Sequence, residues 1–246
     1  MKNIPIIIPV FNQLTYLRNI INWWKWYCPE NPIYIMDNGS TNEELISNYN
    51  HKTFEFISGA KVFRYRENSF ITNLTDLVKN VVEMEYEYYV ISDPDIMPHP
   101  NTPVNFLEIW KEAMERMHLH RIGFGSITKD LPDTLNEKAM IVGNEAELLA
   151  GKDFELIVDG IPRKGYKAPI DTTFCLYKTQ NGGWSAPMNG KDWGNCVRMF
   201  EAFHLGWYID GEKLNDEMKF YFETSKYRVP GEPSAGSNNN RPKQYQ

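Results

Sequence analysis

The feature that most constrains the fold is an alternation of short apolar runs with amphipathic runs along residues 4–92. The first apolar run, IPIIIPV at residues 4–10, is continuous, which is typical of a strand buried on both faces. Similar runs predict strands at 32–37, 61–65 and 88–92, and the stretches between them predict helices at 15–27, 43–48 and 72–84. The alternation predicts an α/β fold with a doubly wound, mostly parallel sheet.

The second half of the chain is less regular. The pattern predicts an amphipathic helix at 104–118, strands at 121–127 and 172–177, and a polar, glycine-rich loop at about 180–195. Within the first half, Thr15 is expected to cap the first helix and Pro29 to end it. From residue 230 onward Pro, Gly, Ser and Asn dominate, so we expect a flexible tail unless it docks on the body or on a ligand.

Composition excludes several classes of protein. A net charge of −6 and a pI of about 5.5 leave no basic face for phosphates, so we expect no nucleic-acid partner. The chain has three cysteines, Cys28, Cys175 and Cys196. Their odd number and wide spacing argue against a disulfide framework and against a CxxC metal site. A reduced, cytoplasmic location fits these cysteines, and we expect neither a signal peptide nor a transmembrane segment.

Polar side chains follow three of the predicted strands. They are Phe11-Asn12 after the first, Asp37-Asn38-Gly39-Ser40 after the second, and Asp93-Pro94-Asp95 after the fourth. Ligands of open α/β sheets bind at the carboxyl ends of the strands. We therefore expect these clusters to converge on one edge of the sheet.

The pair Asp93-x-Asp95 is the sharpest of these features. Two carboxylates at i and i+2, directly after a buried strand, can present oxygens to one Mg²⁺ or Mn²⁺ ion that also binds substrate phosphates. The alternative is a solvated turn with Pro94 at its second position. The apolar strand before the pair favours the metal site.

Two other residues have both a structural and a functional interpretation. Asp37 either closes a turn in which Gly39 supplies the positive φ, or accepts a hydrogen bond from a base or ribose. His204 lies beside Leu205 and Trp207, as a packed histidine would, but the carboxylate pair lacks a third protein ligand and His204 is a candidate for it.

Taken together and in order, these motifs resemble the nucleotide-sugar half of a family 2 glycosyltransferase with the GT-A fold. Its opening strand ending in Pro-x-(Tyr/Phe)-Asn is matched by residues 9–12, its Asp-Asp-Gly-Ser-Thr by residues 37–41 with Asn38 replacing the second Asp, and its metal motif by residues 93–95. The stretches IDTTFCLYK and AFHLGWYID also resemble a subgroup of these enzymes. The usual Glu-Asp pair that holds the catalytic base is absent, as is the Gln/Arg-x-x-Arg-Trp signature of processive synthases.

The resemblance implies one GT-A domain over residues 1–229, with a nucleotide-sugar half at 1–100, an acceptor half at 101–229 and a tail at 230–246. It implies a hexosyl- or deoxyhexosyltransferase that moves a sugar from a nucleoside-diphosphate sugar to a hydroxyl of a glycan or other acceptor, with inversion and with Mn²⁺ or Mg²⁺. The donor-binding residues implied are Pro9, Phe11, Asn12, Asp37, Arg66, Asn68 and Asp93. The metal ligands implied are Asp93, Asp95 and His204.

The catalytic base remains open between two aspartates. Asp171 directly precedes a predicted strand within the stretch that resembles the subgroup, whereas Asp192 lies in the glycine-rich loop nearer to where the family's base usually sits. One of them would take the proton from the acceptor hydroxyl. The structural alternative for each is a capping Asp.

Two rival functions deserve comparison with glycosyl transfer. A binding protein that kept the fold but lost turnover would have no reason to keep two carboxylates facing phosphate. A sugar nucleotidyltransferase shares a related sheet and Mg²⁺, but its glycine-rich, basic loop after the first strand is missing from PVFNQLTYL.

Overall fold

The structure is a computed structural model that describes residues 3–133, 135, 138–158, 160–170, 174–181, 195–209 and 213–225. Its helices are α1 Leu14–Tyr27, α2 Glu43–Asn50, α3 Thr53–Ser58, α4 Phe70–Leu77, α5 Phe106–Met117, α6 Lys138–Leu149 and α7 Asp216–Thr224. Its strands are β1 Ile6–Val10, β2 Ile33–Asn38, β3 Lys61–Tyr65, β4 Tyr88–Ser92, β5 Ile96–Pro98, β6 Arg121–Ser126, β7 Asp153–Val158, β8 Ile161–Tyr166, β9 Phe174–Lys178 and β10 Cys196–His204.

The described strands form one ten-stranded sheet in the order β3-β2-β1-β4-β9-β6-β10-β8-β7, with β5 paired to β10. The first four strands of that order are all parallel. Strands β5, β8 and β9 run opposite to their neighbours, so the rest of the sheet is mixed. The strand order reverses between β1 and β4, which is where open α/β sheets bind their ligands.

The sheet is buried on both faces, as the continuous run in β1 predicts. Ile6 and Ile8 belong to the larger apolar core, which contains the inner faces of α1 and α5. Ile7 points the other way, into a smaller core under α4. Alternate side chains of a strand point to opposite faces, so an uninterrupted apolar strand requires such a double cover.

The predicted strands and most of the predicted helices are confirmed within a few residues, but the predicted cap of α1 is wrong. Gln13, not Thr15, is the N-cap residue, and its side chain makes no capping hydrogen bond. Thr15 is the second residue of the helix. The predicted helix at 72–84 is divided into α4 and a π-helical turn, Val78–Val82. In the described part of the chain, no helix combines the length and the apolar character needed to cross a bilayer.

Candidate active site

Asn12 joins the first two polar loops at the carboxyl edge of the sheet. Its backbone N–H donates to Ser40 Oγ at 2.9 Å, and its Oδ1 accepts from the backbone N–H groups of Thr41 and Asn42. Asn12 is fully buried and has a φ of 55°, a left-handed conformation that Asn tolerates better than most residues. Asn12, which the resemblance assigns to binding of the donor sugar nucleotide, therefore shapes the loop after β1 through contacts within the protein. Its neighbours in this loop are the buried Pro9 and the half-buried Phe11.

Asp37, the last residue but one of β2, has one carboxylate oxygen that is hydrogen-bonded and one that has no hydrogen bond among the described residues. Oδ1 accepts the Ser40 backbone N–H at 3.2 Å, whereas Oδ2 is buried without a hydrogen bond and lies 3.5 Å from Arg64 Nε. Burial raises the pKa of Asp37, although the Ser40 hydrogen bonds and the Arg64 charge act in the opposite direction. A buried acceptor without a donor is costly unless a ligand or water supplies one.

Asn38 stands where the Asp-Asp-Gly-Ser-Thr motif has its second Asp, and its side chain holds the loop after β3 through hydrogen bonds. Its Oδ1 accepts from the Ser69 backbone N–H and from Asn73, and its Nδ2 donates to Asn68 Oδ1 at 2.5 Å. An aspartate at this position could not donate to Asn68, because an ionised carboxylate only accepts. Asn68, which the resemblance assigns to binding of the donor sugar nucleotide, thus contacts another side chain of the protein at this edge. Arg66, assigned the same role, is exposed.

The structure brings Asp95 and His204 together, although the two residues lie 109 positions apart in the sequence. Asp95 directly precedes β5, and His204 ends β10, which pairs with β5 so that His204 lies opposite Ile96. Asp95 Oδ2 lies 3.5 Å from His204 Nδ1, and Nδ1 is buried with no hydrogen-bond partner in the part of the chain that the structure describes. The Leu205 N–H donates to the Asp95 carbonyl at 2.7 Å and fixes this approach.

These two atoms are compatible with a shared divalent cation. Adjacent ligands of an octahedral ion with bonds of about 2.1 Å are separated by about 3 Å, so these two atoms, 3.5 Å apart, would need to move only roughly 0.5 Å closer to share one ion. Among the described residues, no group of three or more His, Cys, Asp or Glu side chains is arranged to hold a metal. The predicted triad with Asp93 is therefore represented here by a pair, and Asp93 lies half-buried in the turn before it.

Gly206 and Trp207 complete the surroundings of His204. A Cβ added at Gly206 would lie 2.8 Å from Asp95 Oδ2 and 3.2 Å from His204 Nδ1, so a side chain at this position would displace the Asp95 carboxylate or the turn. The Trp207 indole stacks on the imidazole with ring centroids 4.7 Å apart and planes 5° from parallel. The sequence placed both residues beside His204, but it could not show these two contacts.

Helix α7 lies against the first loop of the site. The Glu217 carboxylate accepts the Thr15 backbone N–H at 2.9 Å and the Thr15 hydroxyl at 2.5 Å, and Asn12 Nδ2 donates to Thr224 Oγ1 at 2.9 Å. Burial and the nearby charges of Asp95 and Glu217 raise the pKa of Tyr16, which keeps this phenol neutral.

Sequence reasoning missed Arg64, Tyr16 and Glu217, and it could have found one of them. Arg64 lies directly opposite Asp37 in the parallel β2–β3 register, a position that strand parity could have indicated. Glu217 and Thr15 are too far apart in the sequence for any local pattern to indicate their contact. The two base candidates, Asp171 and Asp192, lie outside the described residues.

Comparisons with known proteins bear on the fold. No family model matches the sequence, and neither does any curated protein. Among solved structures, a mannosyltransferase from Pyrobaculum calidifontis, PcManGT in complex with GDP-Man and Mn²⁺, is 10% identical with a TM-score of 0.53, over 89% of this chain and 60% of that one. GalNAc-T7 with UDP, GalNAc and Mn²⁺ is 9% identical with a TM-score of 0.50, over 82% of this chain and 43% of that one.

The chain has the GT-A fold. The chain spans less than two thirds of either solved relative. At these identities the likeness establishes the fold, and the activity has to be argued from the site.

Proposed function

We propose that this chain is a metal-dependent, inverting glycosyltransferase that moves a sugar from a nucleoside-diphosphate sugar to a hydroxyl of a glycan or other acceptor. The observation that carries the proposal is the approach of Asp95 Oδ2 to His204 Nδ1, which are 3.5 Å apart, with no hydrogen-bond partner for Nδ1 among the described residues. The pair lies at the carboxyl edge of the parallel half of a GT-A sheet, beside the strand-order reversal.

Asp95 and His204 are the proposed protein ligands of Mn²⁺ or Mg²⁺, with Asp93 close by in the same turn. Mg²⁺ sites in enzymes that act on phosphates often use one or two protein ligands and complete their coordination with phosphate oxygens and water. A bound ion would neutralise the negative charge that develops on the departing nucleoside diphosphate. The resemblance and this pair support the assignment jointly.

The nucleotide is proposed to extend from Asp37 to Asp95 across the end of β1. Asp37 Oδ2, which is buried and has no hydrogen bond among the described residues, is an acceptor for an N–H of the base. The half-buried Phe11 follows Val10, the register partner of Asp37, and offers an aromatic surface. Arg64, whose Nε lies 3.5 Å from Oδ2, is exposed enough to turn toward a base carbonyl or a phosphate. Arg66 and Asn68 are further candidates for the ribose and phosphates.

For an inverting reaction, one carboxylate must take the proton from the acceptor hydroxyl as that oxygen attacks the anomeric carbon. Asp171 is the first candidate for this base and Asp192 the second. The bond from the anomeric carbon to the diphosphate oxygen breaks as the new glycosidic bond forms, so no covalent enzyme intermediate is needed.

The loop after β1 argues against a nucleotidyltransferase. Such an enzyme needs free backbone N–H groups to cradle phosphates after its first strand, whereas here the Asn12 N–H is bonded to Ser40. A direct test is incubation with nucleoside-diphosphate sugars and Mn²⁺. Release of nucleoside diphosphate supports glycosyl transfer, release of pyrophosphate indicates nucleotidyl transfer, and neither product with retained binding indicates a binding protein.

A panel of nucleotide sugars, scored by thermal stabilisation in the presence of Mn²⁺, would identify the donor. The same panel without Mn²⁺ is the control, because a donor held through the ion should stabilise the protein only when the ion is present.

A further inference from the structure

The surroundings of His204 contain a residue to which the proposed reaction gives no direct role. Trp207 lies three positions after His204, at the third residue of a 3₁₀ turn, Leu205–Tyr208. Its indole stacks on the imidazole at 4.7 Å and 5°. Trp207 is only half-buried, so this ring contact is not a simple consequence of packing in the apolar core.

We propose that Trp207 is a positioning residue that holds the His204 imidazole in the orientation needed to bind the divalent cation through Nδ1. The proposal rests on the metal site of the proposed function and adds a residue to it. The torsion that rotates an imidazole about its Cβ–Cγ bond has broad minima, so the bond alone does not fix the ring plane. The stacked indole fixes the plane and leaves the ring edge, with Nδ1, facing Asp95.

The geometry on the other sides of the ring supports this role. Gly206 lies beside the ring edge, where a Cβ would be 3.1 Å from His204 Cε1 and 3.2 Å from Nδ1. The turn therefore passes close to the imidazole without blocking Nδ1, and the indole covers the ring face. Among the described residues Nδ1 has no hydrogen-bond partner. It is buried and lies 3.5 Å from Asp95 Oδ2, so in the tautomer that carries the proton on Nε2 its lone pair is available to a ligand.

The electrostatics of the stack act in the same direction. An imidazole that donates its lone pair to a cation becomes electron-poor, and the negative face of an indole stabilises positive charge better than other aromatic rings. Partners that orient a metal-binding histidine typically change metal affinity by about 10–100-fold when they are removed. Trp207 is thus expected both to orient the His204 imidazole and to stabilise the positive charge that the imidazole gains when it binds a cation.

The test measures free Mn²⁺ by electron paramagnetic resonance, on the full chain with saturating UDP or GDP, whichever supports binding. Trp207→Leu should weaken Mn²⁺ binding about tenfold, and Trp207→Phe, which keeps a ring, should restore it to within about threefold of the unaltered protein. Trp26→Leu is the matched control, because Trp26 is 83% exposed on α1. It should leave the affinity unchanged.

A double-variant cycle separates positioning from general stability. If Trp207 acts through His204, the variant His204→Ala combined with Trp207→Leu should bind Mn²⁺ no more weakly than His204→Ala alone. Additive losses would overturn the inference. A Trp207→Leu affinity within twofold of the unaltered protein would also overturn it.

Tryptophan fluorescence tests the inference even if Trp207→Leu folds poorly, because it uses Trp207→Phe instead. Bound Mn²⁺ is paramagnetic and should quench the indole stacked on its ligand, so quenching should fall in Trp207→Phe and persist in Trp26→Phe. Equal quenching in the two variants would contradict the inference. Absence of Mn²⁺ binding by the unaltered protein with either nucleotide would overturn the proposed function and this inference together, a result distinct from unaltered binding in Trp207→Leu.

Discussion

The Glu217 carboxylate caps helix α1 from a distance of 202 residues along the chain, by accepting both the backbone N–H and the hydroxyl of Thr15. Helix α1 has no acidic residue in its own first turn and no side-chain cap. A carboxylate there satisfies a donor that the helix cannot satisfy itself and interacts favourably with the helix dipole. Helix α7 is thereby attached to the loop that shapes the site.

Glu217→Gln should lower the free energy of unfolding by about 0.5–1 kcal/mol, because the charge is lost while a weaker acceptor remains. Amide hydrogen exchange in α7 should become faster by a larger factor than exchange in β1. Glu223→Gln is the matched control, since Glu223 is exposed on the same helix. Equal effects of the two changes would contradict the capping role.

Gly206→Ala should weaken Mn²⁺-dependent nucleotide binding while the protein stays folded. The added methyl would lie 2.8 Å from Asp95 Oδ2, so either the carboxylate or the turn must move. Calorimetry with Mn²⁺ and nucleoside diphosphate should show a loss of about tenfold or more. Gly143→Ala is the control: no atom lies within 4 Å of its added methyl, and in helix α6 it should stabilise the protein slightly.

Asp37→Asn should stabilise the protein near neutral pH and weaken nucleotide binding. Because burial raises the pKa of Asp37 in the folded state, the stability linked to its proton is full below the pKa of the unfolded chain and is lost as pH rises through the folded value. Removing the charge should raise the melting temperature at pH 7 by roughly 2–4 °C, or about 1 kcal/mol. The gain should shrink as the pH falls toward 4, and a gain independent of pH would contradict the assignment.

Asp171→Asn should leave donor and metal binding intact and lower the turnover number by about 10²–10⁴-fold, the range typical of losing a general base. Asp192→Asn is the matched comparison. A large loss for Asp192→Asn with near-normal rates for Asp171→Asn would reverse the assignment. Near-normal rates for both would place the base elsewhere or indicate retention, and NMR of the product's anomeric configuration decides between these.

Sequence reasoning predicted the first hundred residues of the fold well because their signals are local. The run in β1 and the strand at 61–65 need only a stretch of apolar or β-branched residues and a following turn. Helix α6 was missed because none of its described residues is buried, so it has no apolar stripe. The hairpin β7–β8 was missed although β7 alternates between exposed and partly buried residues, a signal that was present.

The candidate site was predictable where it follows strand ends and unpredictable where it depends on distant contacts. Asp37 and Asp95 were found because they lie at or just after the carboxyl ends of buried strands. The pairing of β5 with β10 brings His204 to Asp95, and the sequence suggested that meeting only through the resemblance. The sequence could not show that Asn12 links two loops, because its hydrogen-bond partners Ser40 and Thr41 follow β2 whereas Asn12 follows β1.

The central claim is that Asp95 and His204 hold a divalent cation that binds the donor diphosphate. Isothermal titration calorimetry of UDP and GDP, with Mn²⁺ and then with a chelator, tests it most directly on the unaltered protein and on Asp95→Ala. We predict binding that requires Mn²⁺ in the unaltered protein and is abolished in Asp95→Ala, with an unchanged circular dichroism spectrum. Nucleotide affinity that is the same with Mn²⁺ and with chelator, or the same in Asp95→Ala, would contradict the account.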